Sequence, residues 1–450
     1  MNREMFPRLR MRAQRGVQMK NHFTVLAVAL TVGAVFVRLE TALAEEAQPP
    51  LAKLTIVQPK AGSVVSGETA IVVEAEVPTG AAMPARMLAS LGGVPWVELK
   101  NDGNIWQAKL DSALVPNGSQ LLKVVTNNRK VQASCPVNVD NPLRCWFADL
   151  HSHTSYSDGT YLPQDAYTYA RNIAKLDVFA LTDHLESLDA NKWLDIRETA
   201  WKANDPRTFV AIVGLEWTKA WGHLCIYDPP TYRWPADPQA FYQAAVDANV
   251  VLKFNHPGDG TKDHGGLAYS EVGDKAVQLM EVRNPVEEQA FQRALRLGWH
   301  IAPEGSTDTH SPNWGNTGTW TGIWAPGLSV RNILDALANR RCYSTRDRNC
   351  IFQFTLNGSP MGTIITTPVK EVTVRVEVHD PDDKDVITKV ELFQNGEPLD
   401  TFEPNQQGVR LEKTYAAPEG KNYIWAKVTQ ADGNLLWGAP VWFTTVSQSP

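Results

Sequence analysis

The sequence is short of cysteine, of charge of one sign and of long apolar runs, and each shortage excludes a class of protein. Five cysteines in 450 residues are too few for a disulfide-built scaffold, and a chain this long buries cores of its own. Lysine and arginine (43) do not outnumber aspartate and glutamate (49), giving a formal charge of −6. A nucleic-acid binder would need a basic face instead. The uncharged, mostly apolar run Phe23–Val37 has 15 residues, fewer than the roughly 20 a membrane-spanning helix needs. No Walker-type loop suggests nucleotide chemistry. What remains is globular composition, 43% hydrophobic and 20% charged, with a high count of 15 tryptophans. The length predicts about three domains.

Residues 1–44 read as an address. Arg3, Arg8, Arg10, Arg12, Arg15 and Lys20 precede the apolar run, and Thr41-Ala42-Leu43-Ala44 follows it. A basic segment, a short apolar segment and an Ala-x-Ala site make a secretory signal peptide. The alternative is an uncleaved anchor. Cleavage removes seven basic and two acidic groups, taking the charge from −6 to −11. The expectation is export, to a bacterial periplasm, with no stable membrane span afterwards. Export permits disulfides. Cys342 with Cys350 and Cys135 with Cys145 could each close a local loop, leaving Cys225 over. Free buried thiols fit the sequence equally well.

Along the remaining chain the texture changes twice. Residues 45–142 alternate short β-rich runs with Gly, Pro and Asn turns, including the hairpin signal Asn101–Asn104. They predict an immunoglobulin-like β-sandwich, with Asn141-Pro142 as a linker. In residues 143–350, apolar runs ending in polar residues (DVFALTDH, TFVAIVGLEW, NVVLKFNHP, AVQLMEV, IAPEGSTDTH, TGIWAP) are separated by helical stretches such as Pro163–Lys175, Pro238–Ala248, Pro285–Leu297 and Ser329–Asn339. Such alternation predicts βα units around a parallel sheet or barrel. Residues 351–450 turn β-rich again and predict a second sandwich.

The chemistry begins at Asp149-Leu150-His151-Ser152-His153, followed by Ser157-Asp158-Gly159. His-x-His on a strand puts both imidazoles on one face, and convergent neutral imidazoles suit Zn, Mn or Fe. His184 ends one apolar run, Glu216 ends another with His223 seven residues on, His256 follows a third, and Asp308 and His310 form a second alternating pair. Six of the ten histidines thus sit at or near strand ends, where barrel active sites are built. Asp183 beside His184 is either a residue that orients a ligand or a solvated turn residue. His264 and Asp259 follow His256 in a Gly-rich loop, where they touch substrate or are merely exposed. Trp217, Trp221, Trp314, Trp320 and Trp324 either wall a pocket for a flat leaving group or fill the core.

Four motifs in this order, HSHTSYSDG, LTDH, NHP and TDTH, resemble the PHP (polymerase and histidinol phosphatase) metal-dependent hydrolases over roughly residues 147–345. LDVFALTDH, RRCYSTRDRN and FTLNGSPMG look more narrowly like an exported, carbaryl-hydrolase-like branch. The resemblance implies a distorted (β/α)7 barrel for the catalytic body, flanked by the two sandwiches. It also implies three metal sites: His151, His153, Glu216 and Asp308 at the first; Glu216, bridging, with His223 and His256 at the second; Asp158, His184 and His310 at the third. Asp158 stands where some members of the family have His. The cofactor expected is two or three divalent transition-metal ions, Zn, Mn or Fe. Such ions acidify a shared water and stabilise charge on the attacked oxygen, with Glu216, Asp308, His310 and Asp183 as the catalytic candidates. The activity expected is hydrolysis of a small phosphoester or of a carboxylic or carbamic ester. The alternative is a non-catalytic binding or adhesion module on the same barrel.

One further cluster stands apart. His379 lies among Glu377, Asp380, Asp382 and Asp383 in a predicted turn, which is either a site for a hard cation such as Ca or a solvated acidic loop.

Overall fold

The computed structural model describes residues 52–445 apart from 94–95, 128, 259–262, 317 and 383–384. The signal peptide with its cleavage site, Asp259 and Asp383 lie outside those residues. Among the described residues no helix is long and apolar enough to cross a membrane.

Residues 53–139 form two sheets. One orders Lys53–Gln58, Glu68–Glu76, Ile105–Asp111 and Lys100–Asp102, and the other Val64–Val65, Gln132–Val139, Gly118–Thr126, Met87–Leu91 and Val97–Glu98. Alternate residues of both, among them Val73, Met87, Trp106, Leu122 and Val137, share one buried core. Asn141 is a fastened joint rather than a free linker. Its side-chain oxygen accepts from the Gly67 N–H (2.7 Å) and the Ser66 hydroxyl (3.2 Å), and its own N–H donates to Asn117 (2.9 Å).

The helices that follow start where the sequence punctuates them. Pro238–Ala248 and Pro285–Leu297 begin at proline behind the capping side chains of Asp237 and Asn284, and end at the left-handed Asn249 and Gly298. Proline loses nothing at a first turn, and Asp and Asn satisfy the free N–H groups there.

The distorted (β/α)7 barrel does not form. The protein is mostly β-sheet, 44% strand against 19% helix, and its body is one curled, open, mixed sheet. Three observations overturn the barrel. Val210–Lys219 turns back through Ala220-Trp221 into Gly222–Tyr227, a strand the sequence reading passed over, and this hairpin pairs antiparallel with Val251–Asn255 as well. Arg144–Asp149 is parallel to Val178–Leu181 but antiparallel to Trp320–Ala325. Finally, closure would require Ala302–Glu304 to pair with Cys342–Thr345, whose outer edge is taken by Leu435–Gly438. Where the sheet curls back, the two ends meet through side chains. Ser344 Oγ donates to the Val282 carbonyl (2.5 Å) and Thr321 Oγ1 to Glu304 (3.1 Å).

That same pairing removes the expected boundary at residue 350. Leu435–Gly438, Gly420–Gln430, Ile387–Gln394 and Glu397–Phe402 extend the body's sheet, while Ile351–Leu356, Ser359–Pro360, Glu371–His379 and Gly408–Ala416 form a separate four-stranded sheet. One apolar core runs through both regions, from Val178, Ile212 and Ile323 to Phe352, Val376, Leu392 and Ile424.

Candidate metal centre

The two motif loops at the end of Arg144–Asp149 and beyond Ala302–Glu304 are fastened to each other. His153 N–H donates to the Thr309 carbonyl (2.9 Å) and Asp308 N–H to the His151 carbonyl (2.8 Å). Two buried carboxylates hold the loops from below. Asp149 accepts from the Thr307 hydroxyl (2.6 Å) and N–H (3.1 Å) and from the His151 N–H (3.3 Å). Asp183 accepts from Thr154 N–H (2.8 Å), Thr154 hydroxyl (2.6 Å) and Ser157 hydroxyl (2.6 Å). Asp183 is therefore a buried fastener of the His-x-His loop and not a solvated turn residue. At Gly159 a side chain would lie 2.7 Å from the His153 backbone, so glycine there lets the Asp158 turn fold onto the loop.

The nine predicted ligands come together in one cluster with Glu216, 1% exposed, at its centre. Its Oε1 lies 3.3 Å from His151 Nε2, 3.1 Å from His223 Nδ1 and 3.6 Å from His256 Nε2. Its Oε2 lies 3.6 Å from His153 Nε2 and 2.7 Å from His184 Nδ1. Asp308 Oδ1 is 3.3 Å from both His151 Nε2 and His153 Nε2, and those two nitrogens are 3.3 Å apart. Asp158 forms the outer part, 3.4 Å from His184 Nε2 and 3.2 Å from His310 Nε2. His153 Nδ1 is 3.8 Å from Asp158, so His153 faces both the inner and the outer groups. Three sets of side chains can each hold one ion: His151, His153 and Glu216; Glu216, His223 and His256; and His153, Asp158, His184 and His310. The Asp158 and His310 side chains are 56% and 38% exposed, so the cluster opens on that side.

The electrostatics fit a cation. Burial alone would raise Glu216, but His151 foremost, with His184 and His223, holds it well below the usual carboxylate range. Burial pulls His151 down, and Asp308 ahead of its other partners raises it well above the usual imidazole range. A field that retains a proton on a buried imidazole favours a multivalent ion more strongly still.

Beneath the ligands lies a layer that the sequence reading missed. Glu281 Oε1 takes His151 Nδ1 (3.0 Å), which turns His151 Nε2 toward Glu216. Glu281 also accepts from Lys253 Nζ (3.0 Å), the Ser306 hydroxyl (2.7 Å) and the His256 N–H (2.6 Å). Lys253, fully buried, reaches Glu304 as well (3.0 Å). The signal was present: Glu281 ends the apolar run VQLME as Glu216 ends VAIVGLE, and Lys253 interrupts VLKFN. Asn255 donates to Glu216 Oε1 (2.7 Å). His264 is buried, and burial pushes its imidazole down to about 4, so its neutral ring donates to the His223 carbonyl (2.9 Å). It positions a ligand's backbone and is not an exposed loop residue. Trp217 and Trp314 are core, and Trp314 Nε1 donates to the His153 carbonyl (2.9 Å). All five cysteines are free.

No family model matches the chain. It is similar to an uncharacterised protein of Chlamydia pneumoniae, 28% identical over 142 residues, or 26% of this chain and 23% of that protein. An uncharacterised Chlamydia muridarum protein is 26% identical over the same length and shares. The chain therefore spans under a quarter of the length of the curated relatives it matches. Among solved structures, the fibronectin(III)-like modules of Clostridium thermocellum CbhA share 16% identity with 20% of this chain and 94% of theirs, at a TM-score of 0.16. The endo-β-1,4-mannanase of Thermotoga petrophila shares 13% identity over 20% of each chain, at 0.19. Likenesses of that size assign neither fold nor activity.

Proposed function

We propose that this protein is a metal-dependent hydrolase that holds two or three divalent transition-metal ions and cleaves a phosphoester or a carboxylic or carbamic ester. The observation that carries the reading is the division of imidazoles between the two oxygens of Glu216, three at Oε1 and two at Oε2. A buried carboxylate surrounded in this way has the form of a ligand shared between ions. The donor set, imidazole and carboxylate without thiolate, suits Zn, Mn or Fe. Ions bound there would supply water acidified to neutral pH and Lewis acidity toward a substrate oxygen.

The chain's own residues have separable tasks. Glu281 fixes the His151 tautomer, and Asp183 holds the His-x-His loop in register. Asp158 and His310, at the open side, meet a substrate first. Export to a periplasm and the resemblance to PHP hydrolases belong to the same proposal, and the complete donor set favours catalysis over a binding module.

The test is a panel of aryl phosphate, aryl carboxylic ester and aryl carbamate, run on chain stripped by chelator and then reloaded with Zn or Mn. Turnover of at least one class is expected, lost on stripping and restored on reloading. Metal-loaded protein that cleaves none of the three would overturn the hydrolase reading.

A further inference from the structure

Two residues past Glu281, Arg283 lies in the short turn between Val277–Glu281 and the helix Pro285–Leu297. Its backbone is pinned from two directions. The N–H donates to Glu287 Oε2 (2.6 Å). The carbonyl accepts from Arg346 Nε (3.1 Å) and Nη2 (2.7 Å), which reach it where the sheet curls back. The guanidinium is held as firmly. Glu287 Oε1, on a side chain nearly buried, accepts from both Nε (3.1 Å) and Nη2 (2.8 Å). Nη2 also lies 3.2 Å from the fully buried Glu281.

These anchors use one edge of the guanidinium. The third nitrogen, Nη1, forms no hydrogen bond among the described residues and is open to solvent. It stands 4.0 Å from Asp308 Oδ2, too far for a hydrogen bond. The other oxygen of Asp308 lies 3.3 Å from His151 and from His153. A fixed, charged group with two unused hydrogens therefore borders the histidine centre. A cation is a repulsive neighbour for the divalent ions this donor set suits. A ligand that brings negative charge of its own offsets that repulsion.

We infer that Arg283 is a specificity-determining residue, whose Nη1 donates to an anionic oxygen carried on or beside the reacting group of the substrate. The inference rests on the hydrolase reading and narrows it to esters that bear a formal negative charge, ahead of uncharged carboxylic and carbamic esters. Arginine suits the task because its rigid planar fork is anchored through one edge and donates through the other. Lysine offers no second edge. A donor fixed before the substrate arrives also spares binding the cost of ordering it.

The experiment uses the full, metal-loaded chain and calorimetry with three probes: phenylphosphonate, benzoate and the neutral benzyl alcohol. At least one anion should bind more than tenfold tighter than the alcohol, and the tighter of the two tells whether the charge belongs to a phosphoryl or a carboxylate group. Arg283→Gln should weaken that anion about 10–100-fold, the worth of one hydrogen bond between charged groups, with metal content unaltered. If Arg283→Gln fails to fold, Arg283→Lys replaces it, because it keeps a charge beside Glu281 and Glu287 but loses the free edge. The preference of the unaltered chain for the anion needs no variant at all. Equal binding of anion and alcohol, anion binding that survives both substitutions, or loss of metal in Arg283→Gln would each overturn the inference. Cleavage of an uncharged ester without anion preference would overturn it and leave the hydrolase reading intact. Arg283-dependent anion binding by a loaded chain that cleaves no ester would do the reverse.

Discussion

Glu216 is the one member common to both inner groups of candidate ligands, whereas Asp158 belongs only to the outer one and is half in solvent. Their substitutions should therefore differ in kind. Even partners outside the ligand shell are worth about 10–100-fold in metal affinity or activity, so Glu216→Gln should lower kcat/KM by more than about 100-fold and release metal. Asp158→Ala should cost about tenfold and leave the inner ions in place. Activity and metal content measured on both variants check this, and equal losses would contradict the assignment. At this scale the sequence was most informative. The nine candidate ligands were legible because His151/His153 and Asp308/His310 are alternating pairs, His184, Glu216 and His256 end or follow apolar runs, and the resemblance to PHP hydrolases implied the full set. Asp149 and Lys253 were harder to place, because a lone charge in a strand has no spacing to announce its partner, and Glu281, though it ends VQLME as Glu216 ends VAIVGLE, stands beside no histidine pattern. What reveals them is burial, which only the folded chain supplies.

Among the elements, Val251–Asn255 carries a charge through the interior. Its Lys253 is compensated by Glu281 and Glu304, each at 3.0 Å. Lys253→Met would leave Glu304 buried without its cation and Glu281 with only Arg283 (3.2 Å) and His151 beside it, and breaking a buried ion cluster in this way costs about 3–5 kcal/mol. Denaturant unfolding should show a loss of that size, and a loss below about 1 kcal/mol would mean that the carboxylates find protons or water instead. The helices were readable from proline and capping residues. The barrel was misread because GHLCIY, fully buried on both faces, lacks the alternation that marks a strand. Without that strand the runs on either side of it look like consecutive parallel units. The pairing of Cys342–Thr345 with Leu435–Gly438 joins residues about 90 positions apart, and local pattern carries no trace of such a contact.

Taken as a whole, the molecule has a curled sheet whose body and C-terminal region share one core, and an N-terminal pair of sheets with a core of its own. Deleting residues 351–450 would uncover the apolar faces around Ile323, Tyr343 and Ile333 and should give insoluble protein. Deleting residues 45–139 breaks polar contacts such as Asn332 to the Ala113 carbonyl (2.7 Å) and Arg207 to Asp111 (3.1 Å), and should leave a soluble body. Soluble expression and melting curves distinguish the two. A well-folded product of the first deletion would refute the shared core. The central claim is that the histidine centre holds transition metal, and the direct measurement is metal content of the whole chain purified without chelator. Two or three Zn, Mn or Fe ions per chain, falling when Glu216 is replaced by Gln, is the predicted result. A content well below one ion per chain that added Zn or Mn does not raise would contradict it.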